Sequence, residues 1–165
     1  MTGMLDSSAP QNDSPDELRA RALAVVSAER YLVLATSSSD GVPWSSPVWF
    51  AHEGLTAFYW LSRPYRTHSV NLESRSRVAF VVFDSRQPAG TGLGVYAAAD
   101  AGVVPDDELD AALAVLSPRS VAHGGSAWTR ERLEPLPTRL YVARPVELSL
   151  LPGVGTDERV PVPLG

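Results

Sequence analysis

Residues Tyr31–Ala51 read YLVLATSSSDGVPWSSPVWFA, and the fold turns on this stretch. Tyr31 to Thr36 is an apolar run of strand length. Ser39-Asp40-Gly41 then supplies hairpin chemistry, with Gly41 free to adopt positive φ. The return, Val42 to Ala51, carries Pro43 and Pro47, and each proline removes a ladder donor. Such a strand suits an edge, a bend or a ligand-facing rim better than a sheet centre. A connection this short also dictates antiparallel pairing, because parallel strands need a long crossover.

The same logic extends downstream. Glu53-Gly54 makes a second tight turn and Leu55 to Leu61 (LTAFYWL) returns as a strand. Residues 62–74 lose β-character and read as a loop entering a short helix. Val78 to Phe83 (VAFVVF) is a strand, Gln87 to Gly94 (QPAGTGLG) a flexible loop, and Gly94 to Val104 a further strand. Pro105-Asp106-Asp107-Glu108 opens a helix running to about Ser117, with acidic residues complementing its dipole. Residues 119–135 read as irregular, with a turn at Trp128–Leu133, and a last strand covers Arg139 to Leu150.

Upstream, Ser14-Pro15-Asp16-Glu17 has the form of a capping box with proline at the first helical position. Leu18, Ala22, Val25 and Val26 then share one face of a helix over 15–29. Residues 1–13 read as a disordered arm, 14–151 as one domain and 152–165 as a loose tail. Six strands and few helices predict a mainly β (α+β) fold, a closed or partly closed antiparallel barrel with a few short flanking helices.

Composition narrows the chemistry. The chain has 165 residues, 44% hydrophobic and 20% charged, enough for one sizeable core. It contains no cysteine, which excludes disulfides, thiolate nucleophiles and cysteine-ligated metals. It contains no lysine either, so arginine supplies every fixed side-chain cation and a Walker lysine or lysine Schiff base is excluded. A net charge of −5 argues against nucleic acid as a partner. No apolar run reaches the roughly 18–20 residues of a membrane span, and the first residues lack a secretory pattern. A cytoplasmic protein without membrane partner is expected.

Several motifs compete for function. Gly90-Thr91-Gly92-Leu93-Gly94 hints at a dinucleotide fingerprint, but the sixth position is Val95 and a strand follows, so it reads as a mobile loop. His52, His68 and His123 share no ligand spacing with one another or with carboxylates, so no metal site is expected. No nucleophile elbow occurs. The stretch Ser62-Arg63-Pro64-Tyr65-Arg66-Thr67-His68-Ser69 is more telling. Arginines and hydroxyls at the mouth of a helix form an anion site, especially for phosphate, although an arginine-rich surface turn has the same composition. Trp44 and Trp49, with Phe58, Tyr59 and Trp60, lie on the adjacent strands. An apolar aromatic groove beside an anion site suits a phosphorylated planar cofactor.

Taken together, LATSSSDGVPWSSPVWF (Leu34 to Phe50), FYWLSRPYRTHSVNL (Phe58 to Leu72) and SRVAFVVFD (Ser76 to Asp84) resemble the pyridoxamine 5′-phosphate oxidase-like family of flavin-binding split β-barrels. The resemblance covers about residues 15–104, with the strand at 139–150. It implies a six-stranded antiparallel split β-barrel and a homodimer with FMN at the subunit interface. Ser45, Ser46, Pro47, Val48 and Trp49 would line the isoalloxazine. Leu61, Ser62, Arg66, Thr67 and His68, with Asn71 nearby, would hold ribityl and phosphate. Gln87, Gly92 and Leu93 would reach across from the partner. Many members place lysine on the phosphate, where this chain offers Arg66 and His68. The basic substrate-binding residues of a true pyridoxamine phosphate oxidase are not recognisable near its C-terminus. The implied activity is FMN-dependent hydride transfer with a small organic substrate. The alternatives are an F420-dependent reductase and a non-catalytic flavin- or haem-binding protein.

Overall fold

A computed structural model of the chain describes residues 13–153 and 158–164. Most of the expected N-terminal arm therefore lies outside the described residues. The first helix, α1 (Pro15–Ala28), opens with the expected capping box. The Ser14 N–H donates to Glu17 Oε2 at 2.7 Å, and the Glu17 N–H donates to Ser14 Oγ at 3.3 Å.

The strands are β1 (Tyr31–Ser37), β2 (Pro43–Trp49), β3 (Ala51–Glu53), β4 (Ala57–Ser62), β5 (Arg77–Phe83), β6 (Leu93–Val103), β7 (Arg139–Pro152) and β8 (Val160–Pro161). The described residues form three further α-helices, α2 (Thr67–Ser74), α3 (Leu109–Ala122) and α4 (Arg130–Leu133), with a 3-10 turn at Asp106–Glu108 leading into α3. All described pairings are antiparallel, in the order β2-β1-β5-β6-β7-β4-β3, with β8 added on β7. The two ends of this order, β2 and β3, are separated in the chain by Phe50 alone. A sheet whose opposite edges are joined by one residue must curl until those edges meet. This is the split-barrel architecture, reached by connectivity rather than by closure of the ladder.

Three expectations are corrected. Eight strands replace six, because the predicted strand over 42–51 breaks at Phe50 and a short strand forms in the tail. Within that tail, Val160 pairs with Leu150, and the Val162 N–H donates to Leu148 C=O at 2.8 Å. Val162 is also buried, so this part of the segment read as loose belongs to the fold. The third helix continues beyond Ser117 through Pro118 to Ala122. Proline costs it one intrahelical bond, which the packing of Leu113, Leu116 and Ser120 offsets. Gly124, at φ 83°, turns the chain out of it.

Alternation divides the core in two. Phe58, Trp60, Leu32, Leu34, Phe80, Val82, Val95 and Leu150 fill the barrel, together with Leu18, Ala22, Val25 and Val26 of α1 and Leu72 of α2. Tyr59, Ala57, Leu140 and Val142 turn to the other face and pack against Leu113 and Leu116 of α3.

Candidate functional site

The β4 strand ends at Ser62, and the turn Arg63–Arg66 feeds directly into α2. Arg66 is the N-cap and makes no side-chain cap bond. The first intrahelical bond runs from the Val70 N–H to Arg66 C=O at 2.9 Å. The N–H groups of Thr67, His68 and Ser69 thus precede the helical ladder, where an anion is favoured by both the donors and the dipole. Arg63 and Arg66 place their guanidinium groups 5.9 and 5.7 Å from the ring centre of the exposed Tyr65. Among the described residues, no carboxylate pairs with either arginine.

Behind this basic turn lies a chain of polar side chains. His68 Nε2 is 2.7 Å from Ser62 Oγ, and His68 Nδ1 is 3.1 Å from Ser46 Oγ. Ser69 Oγ donates to Ser62 Oγ at 3.1 Å, and Trp44 Nε1 donates to Ser46 Oγ at 3.0 Å. Next to it, Asn71 Nδ2 donates to Thr36 Oγ1 at 2.9 Å, which ties α2 to β1. Ser46, Ser62, Ser69, Asn71 and Thr36 are all buried. A buried network of this kind persists only when its members find partners.

The structure therefore brings Ser46, Ser62, Arg66, Thr67, His68 and Asn71 to one end of the barrel. It separates the other sequence-derived positions. Strand pleating exposes Ser45 and Pro47 on the outer face and turns Val48 inward opposite Leu32, where its side chain is buried in the core. Leu61 faces the α3 layer, as does Trp49. The Trp49 indole donates to His123 Nδ1 at 3.3 Å. Gln87 and Gly92 lie on the connection after Phe83 and Leu93 opens β6 at its end, and β5 runs antiparallel to β1 with Val81 opposite Val33 and Ala79 opposite Ala35. That connection is consequently at the opposite end of β1 from Thr36 and the polar network. Within one chain these three residues cannot join the site.

Thr36 joins the network unannounced by the sequence, whereas Trp44, read as part of an aromatic groove, and Ser69, read within the anion-site stretch, join it as hydrogen-bond donors. The signal that could have placed Thr36 is the hairpin register, which sets Thr36 opposite Trp44 and Leu34 opposite Ser46. No group of His, Asp or Glu able to hold a metal occurs among the described residues. No helix among them is long and apolar enough to cross a membrane.

Burial is the main cause holding all three histidines below their ordinary pKa. Nearby Arg66 adds to it at His68, and Arg119 adds to it at His52 and His123. A folded pKa below the unfolded one means that the unfolded chain binds more protons on acidification. The associated stability is present above the unfolded value and is lost as pH falls through the folded one. Thermal unfolding of the ligand-free chain is expected to move to lower temperature between about pH 7 and about pH 5, above the main carboxylate range. A Tm independent of pH over that window would contradict this assignment.

The sequence matches the family described as "Pyridoxamine 5'-phosphate oxidase" over residues 18–151, more than half of the chain. No curated protein matches it. Among solved structures, a haem-binding protein from Mycobacterium smegmatis superimposes with a TM-score of 0.69 at 21% identity, covering 91% of this chain and 59% of that one. This chain thus spans under two thirds of that protein. HutZ, the haem storage protein from Vibrio cholerae, gives 0.63 at 19% identity, with 82% and 94% covered. A protein related to general stress protein 26, of the pyridoxinephosphate oxidase family, from Clostridium acetobutylicum gives 0.63 at 12%, with 92% and 97% covered. At these identities the likeness carries the fold.

Proposed function

The chain belongs to the pyridoxamine 5′-phosphate oxidase family, and from that premise we propose that it is a homodimeric, FMN-dependent oxidoreductase acting on a small organic substrate. The carrying observation is the mouth of α2. Two guanidinium groups without carboxylate partners among the described residues, the Thr67 hydroxyl and three N–H groups ahead of the helical ladder all belong to the turn and first residues of α2. This donor set fits a phosphate dianion. Arg66, Thr67 and His68 would hold that phosphate, and the exposed Ser45 and Pro47 would meet the planar ring system. When bound, FMN supplies the hydride chemistry, and the protein supplies orientation and exclusion of water. The deazaflavin F420 has the same requirement for an anion mouth and is the alternative co-substrate.

The dimer reading is supported by the outer face of the sheet. Pro47, Val33, Val81 and Tyr96 form one row across four strands, and Ser45, Ala35, Ala79 and Ala98 form the next. This face carries a shallow concavity of about 620 Å³ beside Tyr96, Ala98 and Arg159. A second copy on it could bring its Gln87–Leu93 loop to the site from which the first copy's own loop is remote. The expected result is one FMN per chain in a dimer, with affinity falling when the protein is diluted into monomers. Equal FMN affinity in dimer and isolated monomer would contradict an interface site.

A second reading, haem binding, is favoured by His52. Its Nδ1 lies 2.9 Å from Gly54 C=O and must donate to it, which leaves the Nε2 lone pair free. His68 has both ring nitrogens engaged, and His123 Nδ1 accepts from Trp49. A haem spectrum altered by His52→Ala but not by His123→Ala would turn the assignment toward this reading.

A further inference from the structure

We propose that His68 takes up a proton when a phosphate docks at the mouth of α2, serving there as a conditional cation in a chain without lysine. The inference rests on the reading of that mouth as a phosphate site, and goes beyond it by assigning the site a proton.

The geometry carries it. The His68 ring is held between two serine hydroxyls, Ser62 at Nε2 and Ser46 at Nδ1. Each hydroxyl already accepts one hydrogen bond, from Ser69 and from the Trp44 indole respectively. A neutral imidazole has one N–H and one lone pair. It can donate to one serine but must accept from the other, so one hydroxyl proton is directed inward at the ring. A protonated imidazole donates to both. Each serine oxygen can accept this second bond with its remaining lone pair, and both hydroxyl protons become available to a ligand or to the backbone. Ser62 already has such an outlet, with Arg63 C=O 3.4 Å from its Oγ. The network therefore accepts either protonation state without losing a partner. Protonation thus frees the one hydroxyl proton that the neutral ring holds, so that both serine protons are available.

Electrostatics decides which state is populated. Arg66 is the charged group that acts on the ring, and together with burial it favours the neutral form in the empty site. Strands β1 and β2, packed on α2, carry no charged side chain, and neither does β4. The β6 strand offers Asp100, which is exposed and 3.4 Å from Arg77. On α2 itself, Glu73 lies beyond the first turn, and Arg63 lies on the entering turn. Among the described residues, no carboxylate is paired with His68 to hold the proton. A phosphate dianion beside Arg66 would reverse the local sign and hold it.

The test follows the His68 ring Cε1–H resonance of the full chain against pH, with and without inorganic phosphate. The signal is assigned by its loss in His68→Gln or, if that variant does not fold, by elimination with His52→Gln and His123→Gln. Phosphate should raise the midpoint of this titration by about one pH unit, a tenfold change in proton affinity, and leave the other two histidines in place. A midpoint unmoved by phosphate at saturation, or a shift shared by all three histidines, would overturn the proposal. Calorimetry with FMN provides the second arm. Proton uptake should exceed that of His68→Gln by up to one proton per FMN, a comparison that cancels the titration of the phosphate itself near pH 6. Riboflavin should show no such difference. If FMN does not bind at all while phosphate still moves His68, the cofactor reading fails and the proton coupling stands.

Discussion

Arg66→Ala is expected to weaken FMN binding about ten- to a hundredfold, since a hydrogen bond to a charged group contributes roughly 1.5–3 kcal/mol. The substitution is a clean probe because little else depends on the side chain. Arg66 is exposed, makes no cap bond at the start of α2, and its guanidinium lies over the exposed Tyr65 ring, with His68 feeling its charge. Riboflavin, which lacks the phosphate, should bind the variant as it binds the parent. A folded variant with unchanged FMN affinity would remove Arg66 from the site. Equal losses for FMN and riboflavin would place its effect on the ring system instead.

Arg119→Ala is expected to produce the largest loss of stability. Its guanidinium donates from Nε to Phe50 C=O at 3.0 Å and from Nη2 to Glu29 C=O at 2.5 Å and Val26 C=O at 3.4 Å. It also lies 5.1 Å from the Phe50 ring centre. One side chain of α3 thereby satisfies the last carbonyls of α1 and fixes the single residue at which the sheet passes from one edge to the other. Removing it leaves partly buried carbonyls unpaired, at a cost of about 2–4 kcal/mol. Chemical denaturation should show a lower midpoint with an unchanged slope. Arg119→Lys should recover less than half of the loss, because an ammonium group cannot span carbonyls arranged for a planar fork. A loss below about 0.5 kcal/mol, the range of ordinary surface substitutions, would contradict this role.

These two arginines mark where the sequence is legible and where it is not. Arg66 sits in a local motif, a turn entering a helix, and its chemistry can be read from its neighbours alone. Arg119 acts on carbonyls far away in the chain, and nothing in its surroundings announces that. The same division holds for the fold. The apolar runs of β1 and β5, the Gly41 turn and the Ser14 cap are local signals and correspond to observed elements. The break at Phe50 is invisible in a continuous run such as PVWFA, because it is imposed by the closing of the barrel. Pro118 reads as a helix stop and is overridden by packing. The strand at Val160–Pro161 exists only because β7 offers it an edge.

The site divides likewise. Ser62 at the end of β4, Arg66 on the turn, and Thr67, His68 and Asn71 on α2 are close in the sequence, so a single stretch places them together. Ser46 joins them through pairing across the barrel; Val48 shares its inward face but lies further along β2, opposite Leu32 in the core and away from α2. Thr36 was hidden for the opposite reason: it looks like an ordinary strand residue until the register sets it opposite Trp44 at the α2 end. The Gln87–Leu93 loop poses a third case, since its place at the site depends on a second copy.

The most direct test of the account is the absorbance spectrum of the purified chain before and after addition of FMN, F420 or haemin, with the released chromophore identified by chromatography. The account predicts a bound-flavin spectrum and FMN as the released molecule. A protein that takes up haemin or F420 and ignores FMN would contradict it.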